Sequence, residues 1–172
     1  MSDLTVYNQL LRTIKSAHKT ISIFEGCGAA IKNTYDLKNK KILLVDDVDI
    51  NLKIVERIIR HHGGAVTTAS NGKEAAELFI SSFPGEFSAV LMDIQMPGMN
   101  GYEAVAVIRG SKHPDALLVP IIALTSQDGE EDIKRCFECG MDRYMKKPFQ
   151  PSALLRAIIE LSEKEGSQTL HP

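Results

Sequence analysis

The sequence predicts an α/β fold built on a five-stranded parallel sheet, doubly wound, with helices on both faces. Three observations carry the prediction. Strand and helix signals alternate five times between residues 41 and 163. The strand segments are short, nearly continuous apolar runs, the pattern of strands buried on both sides. Gly, Pro, Asn and Asp clusters separate the segments, as turn chemistry requires.

The elements follow in order. "KILLV" is a β-branched and leucine run, and "DDVD" is the polar turn after it. "INLKIVERIIRHH" places Ile50, Ile54, Val55, Ile58 and Ile59 at helical spacing, and Gly63-Gly64 ends it. "AVTTA" reads as a strand and "NGKEAAELFISSF" as a helix that stops at Pro84-Gly85. "SAVLM" is the third strand, "GYEAVAVIRG" the third helix, and "VPIIAL" the fourth strand. "DGEEDIKRCFECG" has acids in its first turn and glycine at its end, as the helix macrodipole and C-terminal geometry favour. "DRYM" is a short fifth strand, and "PSALLRAIIELSEK" a last helix with Pro151 near its start. Connections between parallel strands are right-handed crossovers.

Composition narrows the function. The chain has 172 residues, 44% hydrophobic and 24% charged, with a formal net charge of −2. That charge argues against bulk electrostatic binding to nucleic acid or to an anionic membrane. No apolar run approaches the roughly 18 residues of a membrane span. The first residues lack the basic start and apolar centre of a signal peptide. The expected compartment is the cytoplasm, and reduced Cys27, Cys136 and Cys139 fit it. "CFEC" closes a helix, where the dipole opposes a thiolate, so it reads as helix packing rather than a metal or redox pair.

Three regions are expected: an N-terminal helix and linker over 1–39, the main domain over 40–163, and a short tail over 164–172. In the first, Leu4, Tyr7, Leu11, Ile14, His18 and Ile21 form an apolar helical stripe. It suits a helix packed on the domain, one trailing from an upstream region, or a dimerisation helix. The short tail "EGSQTLHP" leads to the expectation that no DNA-binding output domain follows.

In an open parallel sheet, ligands bind outside the carboxyl ends of the strands. Asp46 and Asp47 follow the first strand, Asp93 ends the third, Thr125 and Ser126 follow the fourth, and Lys147-Pro148 follows the fifth. Three carboxylates, hydroxyls and an ammonium are thus expected on one edge. Clustered carboxylates repel one another and persist with a compensating cation. Oxygen-only ligation suits Mg²⁺. Such a site suits phosphoryl transfer, in which an aspartate can itself be the nucleophile. Singly, each residue has a plainer reading: Asp49, Asp46 or Asp47 as a helix cap, Thr125 as a cap, Lys147 as a surface charge.

"ILLVDD", "VLMDIQMPGMNG", "IIALTS" and "GMDRYMKKPF", in this order, resemble the receiver domain of two-component response regulators, especially receivers of hybrid histidine kinases. "ASNGKEA" and "DINLKIVERIIR" are similar to it too. The resemblance covers about residues 40–163. It implies a flavodoxin-like sheet with strand order 2-1-3-4-5. It implies Asp93 as the phosphoacceptor. Mg²⁺ would be held by Asp46, Asp47, Asp93 and the main-chain carbonyl of Gln95, with Asp47 binding directly and Asp46 largely through water. Thr125 would be the switch hydroxyl, Lys147 would pair with the phosphoryl group, and the Lys147–Pro148 bond would be cis. Tyr144 would be the aromatic switch; its plainer reading is a half-buried strand tyrosine. Gln95 and Gln127 would flank the site, and small Ser126 would leave room for the phosphoryl group.

The function so implied is phosphorelay signalling. A histidine kinase or a histidine phosphotransfer protein gives a phosphoryl group to Asp93, and a protein-interaction surface switches. The chain would catalyse only its own phosphoryl transfer and dephosphorylation, as a signalling module and not an enzyme of metabolism. A homodimer through the N-terminal helix, or through the face of the fourth helix, fifth strand and fifth helix, is the further partner expected. No nucleic acid and no direct membrane contact are expected. His18 lies in a stretch only faintly similar to a phosphotransfer helix, and reads as a helix-stripe histidine. Two other readings stand beside this one. A non-phosphorylated docking module would keep the residues without the chemistry. A phosphatase of the haloacid dehalogenase type would use the Asp-x-Asp of "LLVDDVD", with its nucleophile after the first strand.

Overall fold

The computed structural model describes residues 35–126 and 129–164. The expected N-terminal helix, His18, Cys27, Gln127 and the tail beyond residue 164 fall outside them.

Among the described residues five strands and five helices alternate: β1 (Lys41–Val45), α1 (Asp49–His61), β2 (Ala65–Ala69), α2 (Gly72–Ile80), β3 (Ala89–Asp93), α3 (Gly101–Arg109), β4 (Ile121–Thr125), α4 (Glu130–Glu138), β5 (Arg143–Lys146) and α5 (Pro151–Lys164). All pairings are parallel, in the order β2-β1-β3-β4-β5. This is the expected flavodoxin-like sheet.

The strand alternation sorts the core into two layers. Leu43 and Val45 of β1 face one layer with Ala75, Ala76 and Phe79 of α2, Val105 and Ile108 of α3, and Cys136 of α4. Ile42 and Leu44 face the other, with Leu52, Val55 and Ile59 of α1 and Leu154, Leu155 and Ile158 of α5. Successive strand side chains point to opposite faces, so a continuous apolar run feeds both layers at once.

Several local expectations shift. The buried stripe of α1 runs through Leu52, Val55 and Ile59, and Ile50 faces solvent at 42% exposure. Ile50 sits in the first turn of α1, off the stripe formed by Leu52, Val55 and Ile59. Asp49 does not cap α1: the cap position is Val48, whose N–H is held by Asp46 Oδ1 at 2.9 Å. α2 ends at Ile80 rather than running to residue 83, because Ser81 and Ser82 bond back to the carbonyls of Glu77 and Phe79. β3 ends on Asp93 as expected, whereas β5 begins at Arg143 rather than at Asp142.

Turn chemistry sets the edge that matters. α3 opens with a capping box: Asn100 Oδ1 accepts from Glu103 N at 3.0 Å, and Glu103 Oε2 accepts from Asn100 N at 2.9 Å. A Cβ on Gly101 would lie 2.3 Å from the Asp93 carbonyl oxygen. Only glycine lets the start of α3 lie this close to the end of β3.

Candidate functional site

The carboxyl ends of the central strands lie side by side. Val45 pairs with Met92, Asp93 with Leu124, and Thr125 with Lys146. The residues just past these positions therefore share one edge, as the sequence order required.

Asp93 and Asp46 are buried, at 6% and 2% exposure. Lys147 Nζ bridges them, 2.7 Å from Asp93 Oδ2 and 2.6 Å from Asp46 Oδ2. The peptide after Lys147, to Pro148, is cis, and Lys147 N donates to the Thr125 carbonyl at 2.7 Å. The turn after β5 is thereby tied to the end of β4, and this places the lysine over the carboxylates. Asp93 Oδ1 accepts the Gln95 N–H at 3.1 Å, which holds the carboxylate at the mouth of the loop. Asp47 is exposed beside them. One oxygen from each of Asp46, Asp47 and Asp93 lies within 4.8 Å of the other two.

The electrostatics follow from burial and charge. Burial pushes the Asp93 carboxyl above the usual aspartate range; Lys147 pulls it down, and Asp46 adds to the rise. Burial also disfavours the Lys147 ammonium, but the two carboxylates outweigh it and hold the lysine charged, above its ordinary value. Three carboxylates then face one ammonium, and the excess is negative. The donor set is all oxygen, closely spaced, and open to solvent at Asp47. That chemistry fits a hard divalent cation.

Thr125 is buried as the last residue of β4, and Ser126 beside it is exposed. Tyr144 is half-buried on β5, packed against the layer formed by α2, α3 and α4. Gln95 is exposed next to Asp93. The sequence reading missed Asn51. Its Nδ2 lies 3.0 Å and 3.2 Å from the two carboxylate oxygens of Asp46. A signal was present: an amide five residues after Asp46, in the first turn of the following helix.

The family model for the response regulator receiver domain matches residues 42–159. The chain belongs to this family. Its receiver domain resembles the receiver of a sensor histidine kinase from Pseudomonas aeruginosa, solved with a magnesium ion coordinated in the active-site cleft. The TM-score is 0.65 at 32% identity, covering 72% of this chain and 98% of that one. A chemotaxis protein of Vibrio cholerae superposes with a TM-score of 0.65 at 28% identity, over 71% of this chain and 98% of that one. Among curated proteins, Histidine kinase 3 of Arabidopsis thaliana is 35% identical over 140 residues, 71% of this chain and 13% of that protein. The hybrid signal transduction protein dokA of Dictyostelium discoideum is 38% identical over 132 residues, 76% of this chain and 8% of that protein. The chain therefore spans a small part of the length of these relatives. As a receiver domain it belongs to two-component phosphorelay signalling, the setting of hybrid histidine kinases. Family membership leaves the phosphatase reading without support. Among the described residues no helix is long and apolar enough to cross a membrane.

Proposed function

We propose that this receiver domain takes a phosphoryl group onto Asp93 from a phosphohistidine of a histidine kinase or a histidine phosphotransfer protein. One observation carries the reading: a buried carboxylate at the end of a central strand, bridged by Lys147 at 2.7 Å and standing beside Asp46 and Asp47. An Asp93 carboxylate oxygen attacks phosphorus, the histidine N–P bond breaks, and its electron pair leaves with the imidazole. Lys147 stabilises negative charge on the transferred group. Thr125, at the end of β4, supplies the hydroxyl that engages a phosphoryl oxygen, and Tyr144 repacks as Thr125 moves. The face of α4, β5 and α5 then changes shape as one bistable element.

These residues would hold Mg²⁺: Asp47, Asp93 and the Gln95 carbonyl as direct ligands, with Asp46 acting through water. When bound it neutralises charge on the phosphoryl oxygens. The chain acts as a cytoplasmic signalling module rather than an enzyme with turnover on a separate substrate. Residues 40–163 form the receiver unit, distinct from 1–39 and 164–172. A second copy, through the N-terminal segment or the α4–β5–α5 face, is its further partner.

Intact mass after incubation with Mg²⁺ and acetyl phosphate tests the reading. The expected result is one added phosphoryl group that requires Mg²⁺ and disappears in Asp93→Asn. A gain that survives in Asp93→Asn would place the nucleophile elsewhere.

A further inference from the structure

Asp46 is the most completely satisfied acid of the site. Its Oδ1 accepts from Val48 N at 2.9 Å and Asn51 Nδ2 at 3.0 Å. Its Oδ2 accepts from Lys147 Nζ at 2.6 Å and Asn51 Nδ2 at 3.2 Å. An ionised carboxylate offers about four acceptor positions. Here three donors cover both oxygens, and the single Asn51 Nδ2 is shared between them. The amide straddles the carboxylate from the first turn of α1, where it is half-buried.

Asp47, the next residue, is exposed. Asp93 meets Lys147 at one oxygen and the Gln95 N–H at the other. The two acids after β1 therefore differ in what they can still give to a cation. Asp47 can bind directly. Asp46 is occupied, although its ligand atom lies within 4.8 Å of those of Asp47 and Asp93.

We propose that Asn51 is a positioning residue that sets the cation preference of the site by keeping Asp46 out of direct coordination. The inference rests on the metal reading above. With Asp46 occupied, few protein oxygens reach the ion and water fills the remaining places. That is the arrangement of Mg²⁺, which is small, octahedral and reluctant to lose water. Removing the Asn51 amide frees an acceptor position on both Asp46 oxygens. A third carboxylate, close enough to join, then raises the number and the looseness of direct ligands. Ca²⁺, which takes six to eight oxygens in flexible geometry, gains more from this than Mg²⁺ does.

The experiment titrates the full chain with Mg²⁺ and with Ca²⁺ by calorimetry. It compares the unaltered protein, Asn51→Leu, Asp46→Asn and the double variant, each checked for cooperative thermal unfolding. In Asn51→Leu the ratio of Ca²⁺ to Mg²⁺ affinity rises about tenfold, the scale on which partners of metal ligands act. In the Asp46→Asn background the same change leaves the ratio where it was, because Asn51 acts through Asp46. An unshifted ratio in folded Asn51→Leu overturns the proposal, and so does a shift that persists without the Asp46 carboxylate. Failure of the unaltered chain to bind either ion overturns the metal reading itself, and this inference with it.

Discussion

Arg109 Nη2 lies 2.9 Å from Asp142 Oδ2, and the same carboxylate oxygen accepts the Ile121 N–H at 2.8 Å. The pair joins the end of α3 to the start of β4 and the approach to β5. Arg109 also donates to the carbonyls of Gly140, Ala116 and Val119 at 2.8 to 2.9 Å.

Arg109 is therefore a bracket for two loops, the one between α3 and β4 and the one between α4 and β5. Arg109→Ala leaves several partly buried carbonyls unpaired and should cost about 3 kcal/mol, within the range for breaking a buried network. Arg109→Lys should recover little of it, because an ammonium cannot reproduce the planar fork. Urea denaturation measures both. A loss under about 0.5 kcal/mol in Arg109→Ala would show that the bracket is dispensable.

Gly101 should tolerate no side chain. A Cβ there would meet the Asp93 carbonyl oxygen at 2.3 Å and Ile94 Cα at 2.8 Å. Both are backbone atoms, so relief requires moving α3 or the end of β3. Gly101→Ala should destabilise by about 2 kcal/mol through overpacking. It should also slow phosphorylation by acetyl phosphate, since the displaced atoms carry Asp93. Normal stability together with a normal rate would contradict the close approach.

Asp93 should be held at a cost in stability. Burial raises its pKa in the folded state above the ordinary 3.8. A raised carboxyl means that the folded chain holds its proton more tightly than the unfolded chain. The resulting stability is fully present below 3.8 and is lost as pH rises through the folded value. Near neutral pH, without divalent cations, Asp93→Asn should thus be more stable than the unaltered protein. The advantage should shrink as the medium is acidified toward 3.8. Denaturation curves at both pH values check the sign; an Asn variant less stable near neutrality would reverse it.

The "CFEC" pair should be chemically quiet. Cys136 is fully buried, and Cys139 caps α4 with its thiol 3.1 Å from the Cys136 carbonyl oxygen. Burial pushes both thiols above the usual cysteine range. In a Cys27→Ser background, a thiol reagent near neutral pH should label the folded chain far more slowly than the urea-unfolded chain. Equal rates would mean that α4 opens easily.

Much of the architecture was legible because the signals were local or topological. Apolar runs of strand length, helical stripes and turn residues marked the elements. The rule that ligands gather at strand ends then brought Asp46, Asp47, Asp93, Thr125 and Lys147 to one edge without any coordinates. The misreadings were local too. The sequence places Ile50 in the helical stripe of α1, yet it is 42% exposed while Leu52, Val55 and Ile59 are buried. Asp49 has the chemistry of a cap, but Val48 holds the cap position, with its N–H bonded to Asp46 Oδ1 and its carbonyl accepting from Asn51 N and Leu52 N.

The sequence by itself determined the order of elements, the parallel sheet and which residues would meet, since periodicity and connection rules act on residue type and position. Only the tertiary structure decided how the charges are shared. Lys147 bridges Asp46 and Asp93, Asn51 occupies Asp46, and Asp47 is left facing solvent. Those distinctions rest on distances of 2.6 to 3.2 Å between groups up to 101 positions apart in the chain. Hydrogen bonding and charge coupling are steep over such distances, and residue type and spacing mark which groups can meet but do not fix those distances.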